Sequence, residues 1–328
     1  MDELLNRLRA AAERTRLRLL HILSHNELTV SEITTVLDQS QPRVSRHLKI
    51  LCEAGLLDRT QEGASVFYRL AQTGPVAELT QNMLALLPEQ DDQLQRDLAR
   101  LEDIKRQHAA AASKYFKDNA EEWERIRTLY LADPAVERAM LTAAGNGEIS
   151  DFLDIGTGTG SVLTVFGARV RRGLGIDLSR EMLAIARTNL EAADLKHCQV
   201  RKGDIHHLSV DTATMEVVTI HHVLHFLGDP DLAIVEAART LKPGGRLIIV
   251  DFDRHHLEVL RTEHAHRRLG FSDEELVRWC QAAGLVDVKI QSLPGTRETS
   301  ASRPEIKLCV GVRRRAPSSL PGLTAAYP

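Results

Sequence analysis

Apolar residues recur every three to four positions from Leu4 to Leu23, which predicts a first helix over that stretch. A second helix is expected from Thr29-Val30-Ser31-Glu32, a capping-box pattern, on through Ile33, Val36 and Leu37. Asp38-Gln39-Ser40 then makes a tight turn into a third helix, with Ser40 as its N-cap and Pro42 in its first turn, where a missing N–H costs nothing. In that helix Val44, Leu48 and Leu51 share one face, while Gln41, Arg43, Ser45, Arg46 and Lys49 fall elsewhere, and Gly55 ends it. From Leu57 to Leu70 two strand-like runs flank a Gln-Glu-Gly turn. Val76 to Leu87 reads as a further helix stopped by Pro88. Beyond Asp91 a charged helix carries a narrow stripe of Leu94, Leu98, Leu101 and Ile104. That stripe fits either a dimer seam or packing on its own chain.

The pattern changes after residue 150. Phe152, Leu153 and Ile155 make a strand that runs into Gly156, Gly158 and Gly160, and Ser161 to Ala168 is apolar enough for a helix. Strands follow at Gly173–Asp177, Gln199–Lys202 and Val217–Ile220, with a helix from Leu178, and Leu241 to Phe252 reads as a helix-turn-strand. Ser272-Asp273-Glu274-Glu275 is a second capping box whose helix ends near Gly284, ahead of strands at Val286–Gln291 and Lys307–Val312. Alternating strands and helices of these lengths predict an α/β, doubly wound, Rossmann-like sheet. Three successive strands end in acids, Asp154, Asp177 and Asp204, and in such a sheet those ends line one edge.

Composition narrows this picture. At 328 residues and 36.5 kDa the chain accommodates two domains with separate cores. A formal charge of -3 gives no global basic field, so any nucleic-acid binding rests on a local patch. No apolar run approaches a membrane span, and MDELLNRLRAAAERTR is a charged amphipathic helix rather than a signal peptide, so a cytoplasmic location without membrane association is expected. Cys52, Cys198, Cys280 and Cys309 lie far apart with no CxxC pair, which argues against a disulfide framework or a cysteine metal knuckle. His255, His256, His264 and His266 stand among arginines without completing a metal set, so no metal site is expected there.

The order helix, helix-turn-helix, hairpin is that of a winged DNA reader. The polar residues of the third helix are free to face a major groove, where arginine reads guanine. The expected DNA-binding set is Gln41, Arg43, Ser45, Arg46, His47 and Lys49, joined by Arg59 and Arg69 of the wing. SQPRVSRHLKILCEAGLL followed by VFYRL resembles the recognition segment of the ArsR-type winged-helix repressors, over roughly Leu4 to Leu70. The resemblance implies a homodimer that reads an inverted repeat in double-stranded DNA and leaves it when an effector binds. The chain departs from the metal-sensing members at Glu27-Leu28-Thr29-Val30-Ser31-Glu32, where those place cysteines.

The glycine turn points to a nucleotide-type ligand, and Asp177 lies 21 residues after Gly156, where a carboxylate meets ribose hydroxyls. Ser161 stands where the dinucleotide fingerprint wants a glycine, and acids at neighbouring strand ends suit the ammonium, hydroxyls and amine of S-adenosylmethionine better than a pyrophosphate. DIGTGTG, GIDLS, GDI and LKPGGRLIIVDF, in that order, resemble the class I S-adenosylmethionine-dependent methyltransferases from Asp151 to about Arg313. The resemblance implies that Asp154, Gly156, Thr157, Gly158 and Gly160 hold the methionine part of S-adenosylmethionine or S-adenosylhomocysteine. It gives the ribose to Asp177, with Leu178 and Met182 beside it, and the adenine to Gly203, Asp204 and Ile205. His221 and His222, at the end of the fourth strand, are candidates for cofactor contact or for a general base on a small-molecule acceptor. HHVLH stands where base methylases carry their catalytic patterns, which disfavours DNA methylation. Tyr115, Phe116 and Trp123 fit either a core or a lid over the ligand.

The resulting partition is a winged reader at 1–72, a helical dimerisation, linker and lid region at 73–130, a methyltransferase domain at 131–313 and a disordered tail at 314–328. The whole order, with EHAHRRLGFSDEEL at Glu263 to Leu276, resembles a bacterial architecture joining an ArsR-type reader to a methyltransferase-like domain. It implies a transcription factor of methionine or methyl-cycle genes that senses S-adenosylmethionine or S-adenosylhomocysteine; the alternative is an active small-molecule methyltransferase with an attached DNA-binding domain.

Overall fold

The computed structural model describes residues 1–62, 65–71, 74–88, 90–119, 134–293 and 304–315. The tip of the wing turn, Trp123 and residues 316–328 of the tail lie outside the described residues, as do the side chains of Tyr115 and Phe116. The chain divides into two compact units. One comprises Met1–Tyr115 together with His225–Asp229 and His255–Leu269; the other comprises the remainder from Phe116 onward. This differs from the linear partition expected at residues 72 and 130, for a reason given by the packing of the first unit.

In the first unit the single helix expected over Leu4–Leu23 is two, α1 (Asp2–Ala11) and α2 (Arg14–Leu23). Glu13 breaks it: its backbone is extended at φ -157, and its carboxylate accepts the Arg16 N–H at 3.0 Å as the N-cap of α2. The break lets Ala10 and Ala11 enter the same core as Leu19, Leu20 and Ile22. Strand β1 (Leu28–Thr29) leads into α3 (Val30–Leu37), whose capping box is formed as the sequence predicts. The Glu32 N–H donates to Thr29 Oγ1 at 3.3 Å and the Thr29 N–H donates to Glu32 Oε2 at 2.7 Å. Asp38 takes the left-handed conformation that turns the chain into α4 (Gln41–Glu53). Ser40 occupies the N-cap position of α4, but its side chain makes no cap hydrogen bond, so Pro42 in the first turn is the start signal that operates.

Val44, Leu48 and Leu51 are fully buried, and the expected hairpin forms from β2 (Leu57–Glu62) and β3 (Ser65–Leu70), with Gln61 and Glu62, expected in the turn, paired within the strands. β1 adds to the free side of β3 and makes a three-stranded sheet. Helix α5 (Gly74–Ala85) precedes α6 (Asp92–Asn119), whose Leu101 and Ile104 belong to the core of this unit with Leu98 packed against it. The apolar stripe therefore packs on its own chain. Arg18 of α2 fixes it there, donating through Nε and a terminal nitrogen to both oxygens of Asp97 at 2.6 and 2.7 Å, with Asp97 wholly buried.

The second unit is built on a seven-stranded sheet ordered β6-β5-β4-β7-β8-β10-β9. Its strands are β4 (Ile149–Ile155), β5 (Val170–Asp177), β6 (Cys198–Lys202), β7 (Met215–His221), β8 (Leu241–Phe252), β9 (Leu285–Leu293) and β10 (Ile306–Arg313). The first five are parallel and β10 runs antiparallel between β8 and β9, so the sheet is doubly wound with the order reversing beside β4. Continuous apolar runs such as Leu247-Ile248-Ile249-Val250 are what a strand covered on both faces requires. Phe152 and Phe166 stack at 4.7 Å in the core. The LKPGG segment, expected as a helix-turn ahead of the strand, is the first part of β8. The helix at Asp273–Ala282 starts on the predicted capping box of Ser272 and Glu275. Among the described residues no helix is long and apolar enough to cross a membrane.

Candidate functional site

The carboxyl edge of the parallel strands carries the glycine turn. Gly156, Gly158 and Gly160 all have positive φ, at 70, 52 and 81, a backbone that glycine adopts with least strain. Gly156 has a second constraint: a Cβ there would lie 2.3 Å from Val223 Cγ2. The Gly158 N–H donates to Asp177 Oδ2 at 2.9 Å and the Ser179 N–H to Oδ1 at 2.8 Å. Gly203 ties the third strand end to the second, its N–H donating to the Asp177 carbonyl at 3.0 Å. Asp177 is only partly buried, and burial raises its carboxyl above the ordinary range. Leu178 beside it is half exposed, an apolar surface at the mouth of the edge, while Met182 is buried beneath. Asp204 is exposed and takes the His206 N–H at 2.9 Å, with Ile205 partly buried next to it.

Asp154 occupies a different position from the other two acids. It is 1% exposed, sits below the turn, and accepts the Thr219 hydroxyl at 2.7 Å from the facing position on β7. Burial pushes its carboxyl up to about 7, with the nearby Asp177 charge adding to the effect of desolvation. The three strand-end acids thus split: Asp204 is exposed and Asp177 partly buried at the strand ends, whereas Asp154 is enclosed. Thr219, which no sequence motif singles out, is the partner that holds Asp154. Its mark in the sequence is a hydroxyl within the buried run Val217-Val218-Thr219-Ile220.

His221 is half-buried at the carboxyl end of β7, where a ligand at the edge would be near. His222 is turned into the fold. It is 4% exposed with φ 55, its N–H donates to the Val250 carbonyl at 2.8 Å, and its ring lies 4.7 Å from Phe252. His222 is thus enclosed by the fold, whereas His221 is half-buried at the strand end.

The donor set at this edge fits an adenosyl ligand. Two carboxylates offer acceptors for hydroxyls and an amine, Leu178 and Ile205 offer apolar surface for a flat ring, and the glycine turn leaves backbone close to whatever it cradles.

On the reader, α4 presents Gln41, Arg43, Ser45, Arg46 and Lys49 to solvent, and Arg59 of β2 is exposed as well. Two expected members are not so placed. His47 turns inward, with Nδ1 3.6 Å from Glu13 Oε2, and burial lowers its pKa. Arg69 is held between Glu27 at 3.3 Å and Asp58 at 3.7 Å, so its charge is spent within the sheet. Cys52 is partly buried on α4, Cys198 is buried, and Cys280 and Cys309 are buried with their sulfurs 3.9 Å apart; all four are free thiols.

Residues 13–59 match the family model of the bacterial regulatory protein, arsR family, and residues 153–249 match a methyltransferase domain model. The chain is 49% identical over 61 residues to the arsenical resistance operon repressor of Escherichia coli, a match covering 18% of this chain and 52% of the repressor. It is 28% identical over 99 residues to the methyltransferase YcgJ of Bacillus subtilis, covering 30% of this chain and 39% of that one. A chain of the complex between the Haloferax volcanii Trm112 methyltransferase activator and a methyltransferase aligns with a TM-score of 0.51 at 22% identity, over 61% of this chain and 98% of that one. That likeness concerns the fold. The chain spans about a third to a half of the length of the curated relatives it matches. It thus joins an arsR-family helix-turn-helix at residues 13–59 to a domain with a Rossmann-like methyltransferase fold, matched at residues 153–249.

Proposed function

We propose that the chain is a DNA-binding transcriptional regulator whose methyltransferase-fold domain binds S-adenosylmethionine or S-adenosylhomocysteine as an effector. The observation that carries this reading is the Gly158–Asp177 hydrogen bond. It pre-forms a ligand-binding turn on the same chain as a DNA reader whose second helix begins on a Thr29–Glu32 capping box rather than on thiolates. Asp177 binds the ribose, Asp204 and Ile205 the adenine, and the turn from Gly156 to Gly160 the amino-acid part. The reader acts as a homodimer on an inverted repeat in the cytoplasm, at genes of the methionine or methyl cycle, and contacts DNA through Gln41, Arg43, Ser45, Arg46, Lys49 and Arg59.

The test is calorimetry of the full chain with each ligand, followed by binding to the promoter DNA adjoining its gene at one fixed salt concentration. At least one ligand binds and changes DNA affinity about tenfold, within the usual range of allosteric coupling. Equal DNA affinity with and without both ligands refutes the reading.

The position of His221 at the end of β7 favours a second reading, an active methyltransferase of a small-molecule acceptor. Transfer of a labelled methyl group from S-adenosylmethionine to a fraction of cell extract tests it, and no transfer across broad extracts counts against it.

A further inference from the structure

Two short segments from the second half of the sequence belong to the compact unit of the reader. His225–Asp229 starts four residues beyond His221, the last residue of β7, and His255–Leu269 starts three residues beyond Phe252, the last residue of β8. Both therefore leave from the carboxyl ends of parallel strands, the edge at which a ligand would sit.

The two segments are joined to each other. The Arg267 and Arg268 N–H groups both donate to the His225 carbonyl, at 2.9 and 3.0 Å, and the His225 and His266 rings stack at 4.1 Å. Gly228 lets the Arg267 guanidinium pass, for a Cβ there would lie 2.4 Å from it.

From this joint two arginines reach the reader. Arg268, 2% exposed, donates to Glu27 Oε2 at 2.8 Å; the other oxygen of Glu27 is held by Arg69 of the wing strand β3 at 3.3 Å. The Arg268 guanidinium also lies 5.2 Å from the centre of the Phe67 ring, and Arg261 lies 5.8 Å from the same ring and donates to Ser65 at 2.6 Å. Arg267 reaches 3.7 Å from Glu32, the residue that closes the capping box of α3. Asp229 takes the Asn26 amide and lies 3.6 Å from Lys105 of α6.

We infer that His225–Asp229 and His255–Leu269 form a coupling element that conveys the state of the cofactor edge to the wing and to α3, with Arg268 and Arg267 as its two contact residues. Its targets, Glu27 and Glu32, bracket β1 and the start of the helix-turn-helix. A shift of the joint at His225 therefore moves the wing and the helix-turn-helix together. The inference rests on the sensor reading of the ligand site, but the two fail differently.

The experiment uses the full chain with S-adenosylhomocysteine and S-adenosylmethionine as probes, and follows amide hydrogen exchange of Val66–Leu70 and Ile33–Leu37, together with DNA affinity. In the unsubstituted chain, ligand changes exchange in both stretches. In Arg267→Gln/Arg268→Gln the ligand binds within about twofold of its original affinity by calorimetry, while the change in exchange and about tenfold change in DNA affinity both fall below about twofold. A ligand-dependent DNA affinity with no exchange response at the wing and α3, or an undiminished response in the double variant, overturns the coupling element and leaves the sensor reading intact. An exchange response without any change in DNA affinity supports the coupling element and overturns the sensor reading. No response in either measurement overturns both. The exchange experiment on the unsubstituted chain needs no variant, so it holds even if the double substitution prevents folding.

Discussion

Gly158 donates its backbone N–H to Asp177 Oδ2 at 2.9 Å, so the glycine turn and the second strand end are locked together before any ligand arrives. Pre-organisation of this kind removes part of the ordering cost of binding. Asp177→Asn keeps the size of the side chain and loses its charge. A charge-assisted hydrogen bond is worth about 1.5–3 kcal/mol, so S-adenosylmethionine and S-adenosylhomocysteine affinity falls about 10- to 100-fold. Calorimetry measures the loss, and circular dichroism confirms that the variant is folded.

Asp154 supplies a pH dependence with a definite sign. Its carboxyl titrates near 7 in the folded chain because it is buried, against about 4 in an unfolded chain. The folded state therefore keeps a proton that the unfolded state gives up. Its contribution to stability is full below pH of about 4 and is lost as pH rises through about 7, amounting to at most about 4 kcal/mol. Asp154→Asn removes that slope. Urea unfolding at a series of pH values compares the two proteins, and parallel profiles contradict the prediction.

The buried Arg18–Asp97 pair makes α6 part of the reader. Arg18→Met leaves Asp97 buried without its main partner, which costs about 3–5 kcal/mol in unfolding free energy. Replacing both, as Arg18→Met/Asp97→Leu, recovers most of it, since an apolar pair of similar volume does not carry the desolvation cost. Urea unfolding of the three proteins measures the difference. Equal losses in the single and double variants point to packing rather than charge.

Arg43 and Arg46 are exposed on α4, whereas Arg69 is enclosed by Glu27 and Asp58. Arg43→Ala and Arg46→Ala each weaken DNA binding, by about 1–3 kcal/mol where the side chain reads a base. A contact to phosphate instead lowers the salt slope by about 1. Arg69→Ala acts through the stability of the wing and leaves the salt slope unchanged. Fluorescence anisotropy with operator DNA across a salt series separates the cases.

What the sequence makes legible is what is encoded locally. The Thr29–Glu32 and Ser272–Glu275 capping boxes, the end of α4 at Gly55, and the glycine turn with Asp177 each depend on residues a few positions apart or on strand ends that the fold class aligns. The break at Glu13 was hidden because the apolar period runs through it unchanged, and a glutamate is an uncommon N-cap. His47 and Arg69 read as DNA contacts because their partners are charged residues that periodicity does not place opposite them. The helical stripe of α6 carried no information about which apolar surface it meets. The Glu27–Arg268 pair lies farthest from the reach of such reasoning, its members being 241 positions apart. Only the folding of His255–Leu269 into the reader unit brings them together.

The reader unit is assembled from three separate stretches of chain, and this bears on how the protein is made. Synthesis proceeds at about 5–20 residues per second. Leu269 therefore leaves the ribosome roughly 10–30 s after Tyr115, at rates of that order. During that interval the helix-turn-helix exists without Arg267 and Arg268, and Glu27 has only Arg69 as its arginine partner. A nascent chain accordingly acquires its finished wing only once most of the second unit has been translated, and a message cut short before residue 255 yields a reader that lacks the segment holding Phe67.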